Sequence, residues 1–226
     1  MTRFLLLLIV GLSIQFNSFS QRIEFSAYAI RNDFIKGGIY FGPSNNGSDK
    51  LSYKNGLGYA FAVGIDNVKI GIPLRFTLQY NHYSGEISYN SNGLGNSNDY
   101  SFTTNKDILG IGFYPLNVSI LKKIKLSVGA EMNVLIHDKQ SGYQNTFDLG
   151  TSKLQSIDLN ATHVNNGIYV GTNISLRYEF AISDKLKIAP QAMVYMPIPF
   201  SYEFTDSYFS TKSFRTYLGL TFIKEL

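Results

Sequence analysis

Ile70-Gly71-Ile72-Pro73-Leu74-Arg75-Phe76-Thr77-Leu78-Gln79-Tyr80 alternates without a break. One row is Ile70, Ile72, Leu74, Phe76, Leu78 and Tyr80; the other is Gly71, Pro73, Arg75, Thr77 and Gln79. Successive side chains of a strand point to opposite faces, so this period of two predicts a strand with one apolar face. Two environments fit such a strand. In a soluble β-protein the apolar row faces a core and the polar row faces water. In a transmembrane barrel the apolar row faces lipid and the polar row faces the lumen.

The same pattern recurs on both sides of this stretch. Leu57, Tyr59, Phe61, Val63 and Ile65 alternate with Gly58, Ala60, Ala62 and Gly64. From 124 to 136, Ile124, Leu126, Val128, Ala130, Met132, Val134 and Ile136 oppose Lys125, Ser127, Gly129, Glu131, Asn133 and Leu135. From 168 to 182, Ile168, Val170, Ile174, Leu176, Tyr178, Phe180 and Ile182 oppose Gly171, Asn173, Ser175, Arg177 and Glu179. Near the end, Phe214, Leu218, Leu220 and Phe222 oppose Arg215, Tyr217, Gly219 and Thr221. Segments 22–31, 99–116 and 186–198 are less regular but strand-like, which gives about eight strands and no segment of helical period after the first twenty residues.

The second rows decide between the two environments. They are rich in Gly, Ala and Ser, with few charges. Strand positions in water favour Thr, Lys and Glu, and Gly weakens a strand there. The inside of a narrow barrel needs small residues for space and pairs its few charges across the lumen. The connections add an independent argument. Asp66–Lys69, Asn117–Lys123 and Ser183–Lys185 are compact, whereas 32–56, 84–99, 138–166 and 201–212 are long and polar. Short and long links therefore alternate, which puts all the long ones at one end. The prediction is an all-β, eight-stranded antiparallel up-and-down transmembrane β-barrel, with short periplasmic turns and long extracellular loops.

Composition sets the remaining bounds. There is no Cys, so disulfides, thiolate metal sites and a Cys nucleophile are excluded. Hydrophobic residues make up 44% of the chain, yet mean hydropathy is only −0.03. Beyond the N-terminus no stretch approaches the ~18 apolar residues of a spanning helix. The formal charge of +4 is too small and dispersed to point to nucleic acid. Arg3, the apolar run Phe4–Leu12 and the small residues before Gln21 read as a secretory signal over 1–20, leaving 21–226 as the barrel domain.

Buried charges must be paired. Arg75, Glu131, Arg177, Glu179 and Arg215, with Glu24 and Lys187, occupy inward rows on different strands and are expected to form a cross-lumen network that plugs the barrel. His82, Ser84 and Glu86 share one outward face at i, i+2 and i+4, the residue types of a Ser–His–acid hydrolase. Same-face strand residues are ~6.5–7 Å apart, so these side chains would have to lean together. Asp49, Asp99, Asp107 and Asp148 are read as loop acids without calcium-loop spacing, and His137 and His163 as polar residues flanking a loop. No catalytic, cofactor or metal site is expected, and the chain reads as a non-enzyme.

The order Leu74-Arg75-Phe76-Thr77-Leu78-Gln79-Tyr80, Asp107-Ile108-Leu109, Ser127-Val128-Gly129-Ala130-Glu131, Ile188-Ala189-Pro190-Gln191 and Tyr217-Leu218-Gly219-Leu220-Thr221-Phe222 resembles the eight-stranded outer-membrane barrel family common in Bacteroidota, often called PorT-like. The resemblance implies an outer-membrane location and a non-enzymatic role. Its partners would be outer-membrane lipid and lipopolysaccharide, the barrel-assembly machinery, and a protein at the outer loops, with the barrel itself a monomer. One departure is the end, Ile223-Lys224-Glu225-Leu226, where many such barrels finish on an aromatic residue. His82-Tyr83-Ser84 separately resembles the triplet of lipid A deacylase barrels, though theirs lies near the C-terminus. A lipid A-modifying hydrolase is therefore one alternative, and a soluble exported lipocalin-like carrier another.

Overall fold

The computed structural model describes residues 21–34, 50–70, 72–92, 96–148, 150–161, 168–198 and 213–226. The expected signal segment 1–20, and with it Asp49 and His163, lies outside the described residues. Among the described residues eleven strands follow one another: β1 (Arg22–Phe34), β2 (Lys50–Lys54), β3 (Gly56–Ile70), β4 (Ile72–Asn92), β5 (Asn96–Leu121), β6 (Ile124–Asp148), β7 (Thr151–Ala161), β8 (Ile168–Tyr178), β9 (Phe180–Ala181), β10 (Leu186–Pro197) and β11 (Ser213–Glu225).

Eight of them close a ring in the order β11-β1-β3-β4-β5-β6-β8-β10, with β10 pairing back onto β11. Every neighbour is antiparallel. The three short strands are continuations: β2 extends the place of β3 against β4, β7 that of β8 against β6, and β9 pairs with β10 below β8. The fold is an eight-stranded antiparallel up-and-down barrel. Closure leaves no edge in the eight-stranded ring, so each ring strand pairs on both sides, whereas β2, β7 and β9 each pair on one side.

The barrel is inside-out relative to a soluble protein. Phe61, Leu78, Ile111 and Leu220, all outside, are 57%, 51%, 50% and 46% exposed, whereas Arg75, Glu131, Arg177 and Arg215 are 1–2% exposed. The outward apolar row runs from Leu57 to Ile65 on β3 and from Ile168 to Phe180 along β8 and β9. At ~3.3 Å rise and ~40° tilt these rows span roughly 20 and 30 Å, bracketing the ~25 Å apolar band of a bilayer-spanning barrel.

Three sequence expectations shift. First, Ile70 and Ile72 face each other across the reversal from β3 to β4, so the alternating run from 70 to 80 is not a single strand. Asp66–Lys69 is not the turn. The ladder continues through it with a bulge between Ile65 and Val68, and Asn67 takes the left-handed conformation (φ 63°) that Asn tolerates better than most residues. Second, the expected long loops at 84–99 and 138–166 are largely β-ladder. β4 and β5 stay paired out to Asn92 and Ser97, and β6 pairs with β7 out to Asp148 and Thr151. These ribbons are rich in Ser, Asn, Thr and Tyr, and backbone pairing does not need the apolar alternation from which strands were read. Third, the link from β5 to β6 is only Lys122–Lys123, with Asn117–Leu121 inside the ladder.

Candidate functional site: the barrel lumen

The inward rows meet in two separate polar blocks. The block at the short-turn end centres on Glu24 (β1), Asp66 (β3), Arg75 (β4) and Arg177 (β8). Arg75 Nε donates to Glu24 Oε2 at 2.8 Å, and Arg177 Nη1 bonds the other Glu24 oxygen. Arg177 Nη2 bonds Asp66 Oδ2 and its Nε donates to Glu179 Oε1 at 3.1 Å. Asp66 also receives Lys125 Nζ at 2.9 Å and the Asn117 side-chain amide. All four central side chains are at most 2% exposed. Two ring strands, β10 and β11, separate β8 from β1, so Arg177 crosses the lumen to reach Glu24. Nearer the mouth, Arg22 Nη1 donates to Glu179 at 3.0 Å and Lys187 Nζ to Glu225 at 2.7 Å.

Tyrosines fill the middle. Arg75 lies over the Tyr114 ring at 4.9 Å, and Tyr28 meets Tyr217 edge-on at 5.9 Å. Tyr114 and Tyr217 are fully buried. Small residues opposite make the room. A Cβ on Gly171 would lie 2.4 Å from the Tyr195 ring. We expect Gly171→Val to displace Tyr195 and cost about 1–3 kcal/mol, read as a lower urea midpoint for loss of heat-resistant gel migration.

The second block lies toward the long-loop end. Arg215 Nη2 (β11) is 3.7 Å from Glu131 Oε1 (β6), and Lys106 Nζ is 3.5 Å from Asp138 Oδ2. Asn173 Nδ2 donates to the other Glu131 oxygen, and Thr104 Oγ1 to Asp138 Oδ1 at 2.9 Å. Between the levels of these two pairs on β5 and β6, Ile108 and Leu135 form a buried apolar cluster with Tyr83 and Tyr169 inside the barrel.

The five charges expected to form one lumen network all point inward, but the structure divides them. Arg75, Arg177 and Glu179 belong to the short-turn block, and Glu131 and Arg215 to the other. Glu24 and Lys187, the two further candidates, also face the lumen. Sequence reading left Asp66, Lys125 and Arg22 out of the network: Lys125 stood in the second row but at a strand start, Arg22 likewise began a strand, and Asp66 fell in an expected turn. Lys106 and Asp138 were missed because their segments read as irregular strand and loop. Among the described residues the lumen carries seven basic side chains (Arg22, Arg75, Lys106, Lys125, Arg177, Lys187, Arg215) and six acidic ones (Glu24, Asp66, Glu131, Asp138, Glu179, Glu225).

The outward His82, Ser84 and Glu86 do not engage one another. His82 Nδ1 lies 2.7 Å from Asp107 Oδ1, Ser84 Oγ donates to the Leu57 carbonyl at 3.4 Å, and Glu86 pairs with Lys54 Nζ at 3.1 Å. A serine hydrolase needs the imidazole on the serine hydroxyl; here Asp107 holds the ring. Asp107 is thus a strand residue rather than a loop acid. It also accepts from Tyr80 Oη at 2.7 Å and lies 3.3 Å from His137 Nδ1. The Tyr59 ring stacks on His82 at 4.9 Å. Tyr59, Tyr80 and His82 sit where the outward rows pass from apolar to polar, the position of an aromatic girdle.

No protein-family model and no curated protein sequence matches this chain. Among solved structures, the outer membrane protein OprG from Pseudomonas aeruginosa is 8% identical with a TM-score of 0.50, and the match covers 92% of this chain and 97% of OprG. Neisserial surface protein A is 9% identical with a TM-score of 0.42 over 91% of this chain and 97% of its own. Ail of Yersinia pestis, solved with the heparin analogue sucrose octasulfate, is 10% identical with a TM-score of 0.35 over 91% and 99%. The OprG match extends over nearly the whole of both chains, and what it shares with this one is the fold.

Proposed function

We propose that this chain is an outer-membrane protein whose barrel spans the bilayer with its lumen closed by side chains. It acts without catalysis, as a structural element or a binding surface displayed by its long-loop end. The observation that carries this reading is the inside-out barrel, with an exposed apolar band outside and paired ions inside. Water does not reward half-exposed Phe61, Leu78, Ile111 and Leu220; lipid does. The short-turn end, where Leu226 N donates to Gln21 O at 3.0 Å, is assigned to the periplasm. The paired ribbons of β4–β5 and β6–β7, which extend past the band and expose Tyr143, Phe147 and Leu154 among polar residues, are the surface assigned to a protein partner.

Lipid and lipopolysaccharide are then the barrel's surroundings, and the barrel-assembly machinery its route of insertion. Kinship with the PorT-like barrels is supported by the order of the quoted motifs. Eight-stranded barrels have interiors that side chains can fill, and here the crossing of Arg177 to Glu24 and the buried Tyr114 and Tyr217 fill one. The test uses purified full-length protein in planar bilayers. We expect no stable single-channel steps, together with heat-modifiable migration and extraction from membranes only by detergent. Large, stable steps would overturn the plugged lumen; recovery in the soluble fraction would overturn the location.

A further inference from the structure

We propose that the long-loop half of the lumen is a binding site for one small monatomic anion, of chloride size, held beside Arg215. Arg215 is 2% exposed, and its Nη2 lies 3.7 Å from the Glu131 carboxylate, beyond hydrogen-bond distance. Its Nε and Nη1 have no hydrogen-bond partner. Instead the guanidinium is caged by rings, with centroids at 3.9 Å (Tyr195), 5.9 Å (Tyr83) and 5.9 Å (Tyr217). Ring faces attract a cation, but they do not replace an acceptor for its in-plane N–H groups.

The contrast lies within the same lumen. Arg75 and Arg177, equally buried, each hold a carboxylate at hydrogen-bond distance. A buried guanidinium without one is costly unless another anion reaches it.

The space beside Arg215 fits such an ion. A cavity of about 10 Å³ opens against the guanidinium, lined also by Tyr83, Tyr195 and Ser213. That is the scale of a single small solvent species rather than of a sulfate or phosphate. The Tyr195 hydroxyl, likewise without a partner, supplies a second donor. The site is independent of which membrane the barrel occupies.

Bromide is the probe. Crystals of the full-length protein grown with bromide should show an anomalous peak in contact with Arg215 Nε or Nη1. In detergent at constant ionic strength, replacing gluconate with bromide should raise the urea unfolding midpoint saturably. Arg215→Gln should abolish that response, and Tyr195→Phe, which keeps the ring and the fold, should weaken the bromide affinity about fivefold. No anomalous peak at Arg215, or an equal bromide response in wild type and Tyr195→Phe, would overturn the proposal.

Discussion

Glu24→Gln should lower the stability of the barrel by about 3–5 kcal/mol, although it changes a single atom type and no volume. The Glu24 carboxylate binds two guanidinium groups, Arg75 at 2.8 Å and Arg177 from across the lumen, and all three side chains are at most 2% exposed. An amide carries no charge, and its NH2 end would meet an N–H donor head-on. Arg75 suffers most. Glu24 is its carboxylate partner, and the Ser175 hydroxyl at 3.3 Å is a weak substitute. Arg177 keeps Asp66 and Glu179. The measurement is urea unfolding in detergent or lipid, followed by the gel shift of the folded form. Glu225→Gln is the control: that carboxylate is 28% exposed at the mouth, and its loss should cost at most ~1 kcal/mol. Adding Arg75→Met to Glu24→Gln should restore part of the loss, because the stranded cation is then gone.

The fold was legible where chemistry on the two faces of a strand differed. Phe61 against Ala60 and Ala62, or Leu176 against Ser175 and Arg177, could be assigned from alternation alone, and the structure has each on the expected side. Alternation failed where both faces are alike. Ile70 and Ile72 keep the period of two in sequence although the chain reverses between them, because they are direct partners on adjoining strands. Ser84–Asn92 and Gln140–Asp148 are mostly polar, with Ile87, Tyr143 and Phe147 isolated among Ser, Asn and Gln, so no run of alternation marks them as ladder.

The site was legible in the same measure. Arg75, Glu131, Arg177, Glu179 and Arg215 stood alone in rows of small residues and could be picked out. Asp66 could not, because Asp-Asn before an apolar run is a turn pattern; instead the alternation of β3 runs on through it, and its carboxylate faces inward with Ala62 and Gly64. Which acid meets which base was beyond reach as well. That depends on how strands seven places apart in sequence curl together, and no local pattern records it.

Leu78→Arg tests the face on which everything else rests, and the expected cost is about 2–4 kcal/mol. Leu78 is 51% exposed in the middle of the outward row of β4, between Val63 of β3 and Ile111 of β5. If that face met water, an arginine there would change stability by no more than ~0.5 kcal/mol, since exposed strand positions accept long charged side chains. If it meets lipid, the guanidinium must be dehydrated or pull water into the bilayer. Depth supplies the internal control. Leu57 is more exposed, at 75%, but lies at the long-loop end of β3, where an arginine can reach the headgroups. Leu57→Arg should therefore cost only about 0–1 kcal/mol. Unfolding of both variants in the same lipid vesicles decides the matter. A large penalty at 78 with a small one at 57 requires a medium whose polarity changes along the barrel axis, which a bilayer has and water does not. Equal small effects at both positions would leave the apolar band without a membrane to explain it.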